Sequence, residues 1–479
     1  MTNKLLIEAS LFGWDTFFDT ANYTGTADIP KLPTGNAVER GWTPLPLPGL
    51  TSPGVQLADL SAFTIGTPLD GATITSAAHF YVGDLEGKTT VVLTYRSTDE
   101  GPAEFAFQGA TLPPNPFGAQ YGWDLYYLQH AEASAAALTF AADPANGVEQ
   151  VLVTGHSLGG IIAELTAARL MGEGEPFAAL APATLVTTMG SPGSTESAGN
   201  VQQFNIVHTD DLVAQLSALS PLFIDGGVGR EGTDLSVDRP EGALPPFRPG
   251  DLDTPEELLV ALSDPANGVE HGIALYIDTV ALLDSAEAYI PAVSDAPGDL
   301  FRWLDVDFNR TIVGSGEAER LVGSGRADLI FAVDGETVIE GKRGSDVLIG
   351  GAGDNDIRGG RGADVLVGGP GNDVISGGRG ADIIHLFGGT NTVDGGRGRD
   401  TAVFDGAFDA FLVSLSRNEL VVTQAEDPTA SSTLRNIQLL AFDDQTLAFD
   451  RGTLTPVDPP AVAMAAATID DLVITADVA

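Results

Sequence analysis

At 479 residues the chain is longer than one ordinary hydrophobic core supports and predicts two or three domains. Its 66 acidic residues stand against 23 basic ones, a formal charge of -43, which argues against nucleic acid or an anionic membrane surface as partner and favours a neutral substrate or a cation, calcium first. With no cysteine there is neither disulfide nor thiol chemistry, and no 18-residue apolar run predicts a transmembrane helix.

The chain opens with "MTNKLLIEASLFGWD", where three consecutive apolar residues precede Glu8, a pattern that does not read as a secretory signal. Strand-like and helix-like stretches then alternate. "TTVVLTYRS" (89–97) reads as a strand, "YGWDLYYLQHAEASAAALTFAA" (121–142) as a helix stopped at Asp143-Pro144, and "VEQVLVT" as the next strand. A helix over 157–171 presents Ile161, Ile162, Leu165 and Leu170 and ends at Gly172, followed by strands at 183–190 and 202–208. Such alternation predicts a parallel sheet, hence an α/β domain over residues 1–305. Phe105, Phe107, Phe117 and Tyr121 fall in a proline-broken loop, where they serve either a lid or the core. "DPANGVE" occurs at both 143–149 and 264–270, a reused turn.

Within "VLVTGHSLGG" (151–160), Gly155-His156-Ser157-Leu158-Gly159 has the form Gly-x-Ser-x-Gly between a predicted strand and helix. A sharp turn there lifts the Ser157 hydroxyl above the sheet and aims the Leu158 N–H at the point where an oxyanion forms. A serine hydroxyl needs a base. The histidines are 79, 130, 156, 208, 271 and 385. In α/β-hydrolases the chain order is serine, acid, histidine. His385 lies in a repeat and His208 precedes the acid, which leaves His271. Asp210 and Asp211, in "FNIVHTDDLV", follow a strand end and are both candidates for the acid.

From Gly314 to residue 403 the chain runs in ten units of nine, among them "GGRGADVLV" (359), "GGPGNDVIS" (368) and "GGRGADIIH" (377). Glycine fills positions one, two and four, as at Gly359, Gly362, Gly368 and Gly371; a carboxylate usually fills six and an aliphatic eight. Glycines permit tight turns and the aliphatic faces inward, so the units are expected to stack as a parallel β-roll with Asp328, Asp346, Asp364, Asp373, Asp382 and Asp400 above one another. Stacked carboxylates repel unless a hard cation that accepts carboxylate and carbonyl oxygens lies between them, which predicts calcium.

The landmarks "VLVTGHSLGG", "ATLVTTMGSPG", "FNIVHTDDLV" and "VEHGIALY" resemble those of class 3 lipases, and the nonads resemble the RTX module of proteins exported by type I secretion. Together, with "GWTPL" (41–45), they resemble RTX-bearing secreted bacterial lipases. The resemblance implies Asp211 as the acid, since Asp211-Leu212-Val213 matches the family's Asp-x-Val setting. It also implies a second oxyanion donor near Thr98, although Arg96-Ser97-Thr98 has serine where the family has glycine. "DTAVFDG" (400–406) and "STLRNIQLLAFDDQTLAFD" (432–450) resemble the strands that close the roll. An uncleaved export signal is implied at the C-terminus, where "VDPP" precedes "TIDDLVITADVA" (468–479).

The expected architecture is an α/β-hydrolase domain (1–305), an RTX β-roll with closing strands (306–455) and an export segment (456–479). The expected activity is that of a secreted, calcium-dependent serine ester hydrolase, a monomer acting on a neutral ester or lipid, in some settings at a lipid–water interface, and exported by a type I exporter. A cutinase-like polyester depolymerase or a phospholipase is the rival within enzymes. A calcium-dependent adhesin with an inert hydrolase domain is the rival outside them.

Overall fold

The structure, a computed structural model, describes residues 3–15, 36–45, 47, 62–69, 72–96, 116–194, 196–209, 211, 214, 233–238, 276–277, 279–281, 310–314, 318–333, 335–416, 419–450 and 452–457. The chain divides into two compact units, one of residues 4–236 and 242–281 and one of residues 1–3, 237–241 and 282–479.

In the first unit, helix α1 (Asn3–Asp15) precedes an antiparallel run of β1 (Ala62–Leu69), β2 (Ala72–Leu85) and β3 (Lys88–Tyr95). Helix α2 (Pro116–Ala142), β4 (Gln150–His156), helix α3 (Leu158–Thr166), β5 (Thr184–Met189) and β6 (Gln202–His208) follow, and β3, β4, β5 and β6 pair in that order, all parallel. This is the α/β-hydrolase sheet. Strand β4 has six buried residues after Gln150, as a central parallel strand covered on both faces requires. Helix α2 starts five residues earlier than its apolar pattern suggests, because Pro116 has the fixed φ suited to a first helical turn; Phe117 therefore lies within the helix. Every residue of α3 is buried, and the helix continues as a π-turn over Ala167–Met171 before Gly172 stops it.

The N-terminal segment is built into this unit. Phe12 of α1 stacks on Tyr81 at 5.4 Å and meets Trp42 edge-on at 5.0 Å. Glu8 accepts from Trp42 Nε1 at 3.1 Å and from Arg40 Nε at 3.2 Å, while Arg40 also donates to Asp15 at 2.8 Å. Desolvation at Asp15 outweighs the pull of Arg40 and raises its carboxyl to about 6.

The second unit is a stack of short strands in two parallel sheets. One holds Asp328–Phe331, Val347–Ile349, Val365–Val367, Ile383–Leu386 and Thr401–Phe404; the other holds Arg320–Val322, Val338–Arg343, Asp356–Arg361, Val374–Arg379 and Thr390–Arg397. The eighth residue of each unit from Leu321 to Ala402 is buried between them, each aliphatic adding roughly 1.5–3 kcal/mol of burial where it is Val-sized or larger. In-register partners are 18 residues apart, as in Val347↔Val365, so one nonad makes half a coil. The sixth-position aspartates therefore do not form the single stack expected from the repeat. They fall into two rows on opposite edges, Asp328–Asp346–Asp364–Asp382–Asp400 and a second row that contains Asp373. The fourth-position glycine is needed for coil-on-coil approach: Gly362 has φ +141°, and a Cβ there would collide with the carbonyl oxygen of Gly344. Thr401–Phe404 and Thr390–Arg397 pass their pairing to Leu439–Ala441 and Ser431–Arg435, and antiparallel strands then close both sheets around Phe404, Phe411 and Phe442.

Candidate active site and calcium edge

Ser157 stands between β4 and α3 with φ 55° and 5% exposure. A non-glycine residue in this region carries strain of order 1–3 kcal/mol and persists only where its surroundings fix it. They do so here. Ser157 N donates to Met189 O at 2.9 Å, tying the turn to the end of β5. A Cβ on Gly155 would overlap the backbone of Gly159, and one on Gly159 would overlap the Tyr95 carbonyl at the end of β3. Both flanking glycines are thus imposed by packing, and the turn they allow holds the serine above the sheet. Leu158 is the first residue of α3, so its N–H belongs to the set that a helix leaves unpaired at its N-terminus.

Asp211 lies three residues beyond β6 and is fully buried. Its Oδ2 accepts from the Tyr276 hydroxyl at 2.5 Å, its Oδ1 from Ala214 N at 3.2 Å, and its own N–H donates to His208 O at 3.2 Å. Gly190, next after β5, has φ +59°, and a methyl there would lie 3.1 Å from Asp211 Oδ2 and 3.0 Å from the Tyr276 hydroxyl oxygen. The ends of three adjacent parallel strands therefore carry Ser157, Gly190 and Asp211 in turn. Tyr276 spans them: its ring stacks on His208 at 4.0 Å and meets His156 edge-on at 5.7 Å. Behind the serine, the Ser191 hydroxyl donates to the buried Glu164 at 2.9 Å and accepts from Gly193 N at 3.1 Å, which fixes the loop after β5 to α3.

Of the sequence-selected residues, Ser157, Leu158 and Asp211 are placed at these strand ends. Thr98, Asp210 and His271 lie outside the described residues, as do residues 105 and 107 and the C-terminal 468–479. Tyr276 and Glu164 were not singled out in the sequence. Tyr276 sits in "VEHGIALY", and its apolar helical setting gives no sign that its hydroxyl reaches a carboxylate 65 positions earlier.

In the roll, Asp346, Asp364, Asp382 and Asp400 share one arrangement. Each Oδ1 accepts the backbone N–H of the aspartate 18 residues before it, at 2.9–3.0 Å. Each Oδ2 is buried with no hydrogen-bond partner. Burial raises Asp364 to about 8, Asp346 and Asp382 to about 7 and Asp400 to about 6, so each ionises with difficulty unless a cation joins it. A methyl placed on Gly341, Gly359 or Gly377 would touch that Oδ2 and lie 2.7 Å from a carbonyl oxygen of the next coil, Gly359, Gly377 or Gly395. Among the described residues no three His, Asp or Glu side chains converge. A hard cation on this edge is therefore supplied by single carboxylates and backbone carbonyls, a donor set that fits calcium. Of the glycines selected with the aspartates, Gly359 and Gly368 present carbonyls to the neighbouring coil, whereas Gly362 and Gly371 serve close backbone packing.

Residues 127–220 match the lipase (class 3) family, and residues 331–366 and 367–402 each match the RTX calcium-binding nonapeptide repeat family. The chain joins a class 3 lipase region to calcium-binding RTX repeats. Among solved structures it is similar to the extracellular lipase LipA from Serratia marcescens, at 17% identity over 95% of this chain and 75% of that one, with a TM-score of 0.39. It is also similar to a mutant form of MDLA from Penicillium cyclopium, at 20% identity over 48% of this chain and 78% of that one, with a TM-score of 0.29. No curated protein matches the chain. No described helix is long and apolar enough to cross a membrane.

Proposed function

We propose that this lipase hydrolyses neutral carboxylic esters through Ser157, His271 and Asp211. The observation that carries the reading is the constrained, positive-φ Ser157 at the end of β4 with a buried Asp211 two strands away. The Ser157 hydroxyl attacks the ester carbonyl as His271 takes its proton. The imidazolium so formed is oriented and stabilised by Asp211. The Leu158 N–H, with a donor near Thr98, holds the oxyanion; loss of one such donor typically costs roughly 2.7–4 kcal/mol in the barrier. His271 returns the proton to the leaving alcohol, and water, activated by the same imidazole, frees the acid and regenerates the serine. The formal charge of -43 favours departure of the carboxylate product.

Asp346, Asp364, Asp382 and Asp400 and their neighbouring carbonyls hold calcium, whose charge neutralises carboxylates that burial otherwise disfavours. In calcium-poor cytosol the repeats stay unfolded and are passed out by a type I exporter; at extracellular sites with dissociation constants of about 10⁻⁴ to 10⁻³ M they fill and fold. Equal circular dichroism in chelator and in calcium would count against this part of the reading. A p-nitrophenyl ester series from acetyl to palmitoyl, on the wild type and Ser157→Ala, tests the catalytic part. Loss of turnover in the variant is expected, retained turnover discards the mechanism, and the chain-length profile separates lipase from short-chain esterase.

A further inference from the structure

The two edges of the roll use the same backbone ladder but differ in the atom that faces the next coil. On the first edge, Asp346, Asp364, Asp382 and Asp400 each leave a buried Oδ2 unpaired. On the second, the residues at the same position of the repeat are Thr337, Asn355, Asp373 and Asn391, of which Asp373 alone has a buried, unpaired Oδ2, and a methyl on Gly368 would meet that oxygen without the facing carbonyl found at Gly341, Gly359 and Gly377. The ladder there is intact: Thr337 N donates to Asn355 Oδ1 at 3.1 Å, Asn355 N to Asp373 Oδ1 at 2.9 Å and Asp373 N to Asn391 Oδ1 at 2.9 Å. In place of a second oxygen, however, the asparagines present an NH₂ group. Asn355 Nδ2 donates to Gly353 O at 2.7 Å and to Asp373 Oδ1 at 3.3 Å; Asn391 Nδ2 donates to Gly388 O at 3.2 Å and to Ser432 Oγ at 3.3 Å.

The cradle comparison is direct. A methyl on Gly341 would lie between Asp346 Oδ2 and Gly359 O; the equivalent methyl on Gly350 would lie 2.7 Å from Asn355 Nδ2 and 2.5 Å from Gly368 O. An amide nitrogen carries two hydrogens and no lone pair for a metal, so it occupies the position as a donor where calcium requires an acceptor. No two carboxylates are consecutive on this edge, and Asp373 stands between two asparagines. The first edge is also bounded: the Ser324 N–H and hydroxyl satisfy Asp328 at one end, and Asp400 N donates to Gln438 Oε1 at 2.6 Å at the other.

We propose that calcium loads only the edge lined by Asp346, Asp364, Asp382 and Asp400, and that the opposite edge, Thr337–Asn355–Asp373–Asn391, is a metal-free seam closed by side-chain amides. This rests on the calcium reading of the repeats and is independent of the catalytic triad. In the folded roll the seam's side-chain amides take the place of a cation, so calcium is required only on the other edge.

Calcium bound by the full-length chain, counted by equilibrium dialysis and elemental analysis, tests this with three conservative variants. Asp373→Asn should leave both the number of ions and the half-saturation point of the wild type unchanged, within about twofold. Asp364→Asn should lose at least one ion or weaken half-saturation tenfold or more. Asn355→Asp, which puts two carboxylates side by side on the seam, should gain one ion, a readout that survives even if Asp364→Asn fails to fold. The proposal is overturned if Asp373→Asn loses as many ions as Asp364→Asn, or if a folded Asn355→Asp gains none. Wild-type protein that binds no calcium overturns it together with the calcium reading, an outcome distinct from binding on both edges.

Discussion

The Tyr276 hydroxyl donates to Asp211 Oδ2 at 2.5 Å, and both groups are fully buried. A carboxylate proposed to orient an imidazole must itself be held, and in Asp211 one oxygen is held by a phenol and the other by the Ala214 N–H. Tyr276 is helical and follows the proposed base, His271, by five positions in the sequence.

Tyr276→Phe removes that hydrogen bond while keeping the ring that stacks on His208. Hydrogen bonds to charged groups contribute about 1.5–3 kcal/mol, so kcat/KM should fall roughly 10- to 150-fold, carried by kcat with KM within about twofold. Steady-state kinetics on one soluble ester decides it. Unchanged kcat would mean that Asp211 needs no support from Tyr276, or that Asp211 is not the acid.

Gly159→Ala should damage the nucleophile turn more than an ordinary helix substitution, although alanine is the better helix former. The added methyl would overlap the Tyr95 carbonyl at the end of β3, and backbone cannot swing aside as a flexible side chain does. Overpacking of this kind typically costs about 1–3 kcal/mol, and the shift required would displace Ser157. Expected outcomes are a lower midpoint of urea unfolding and a loss of activity larger than stability alone explains. Wild-type midpoint and turnover would show that the turn has slack.

The Arg40 side chain is 3% exposed and bridges Glu8 and Asp15, which ties α1 to the loop before Trp42. Arg40→Met would leave two carboxylates in a desolvated site, one of them already raised to about 6 by burial. Removing one partner of a buried pair costs about 3–5 kcal/mol, whereas neutralising the partners as well, with Glu8→Gln and Asp15→Asn, should recover much of it. Chemical denaturation of the single and triple variants checks this. A triple variant no more stable than the single one would place the cost in packing rather than charge.

The parallel strands, the serine turn and the roll were legible because each has a local cause in the sequence: buried β-branched runs, glycines at fixed offsets, an aliphatic every nine residues. The strand at 202–208 has the bounds read from the sequence. What could not be read was relational. That one nonad is half a coil, and hence that Asp373 parts company with Asp364 and Asp382, depends on how two sheets pair at 18-residue register. That Tyr276 serves Asp211 depends on a contact across 65 positions, and the buried Arg40 pairs depend on α1 folding onto a loop 25 and 32 residues away. Periodicity encodes the first kind of information and only packing encodes the second.

Two buried histidines in the hydrolase unit set an acid limit on its stability. Burial lowers His130 to about 4, and burial together with the nearby Arg96 charge lowers His79 to about 4. Their unfolded value is near 6.5, so on acidification the unfolded chain takes up protons first. Stability from each neutral imidazole is complete above pH 6.5 and is lost as pH falls toward 4, by about 3 kcal/mol per group over the full window. Asp15, raised to about 6, acts in the opposite sense: it is favoured in the fold by protonation, and its contribution grows as pH falls from about 6 toward 3.8. A comparison of wild type with His130→Phe isolates one imidazole from these opposing groups. His130 sits 5.9 Å from the Tyr95 ring, a contact that phenylalanine can keep. With calcium held in excess, the stability difference between the two proteins should shift by about 3 kcal/mol in favour of the variant between pH 7 and pH 4. Parallel pH–stability curves would show that His130 takes up its proton in the folded state as readily as in the unfolded chain.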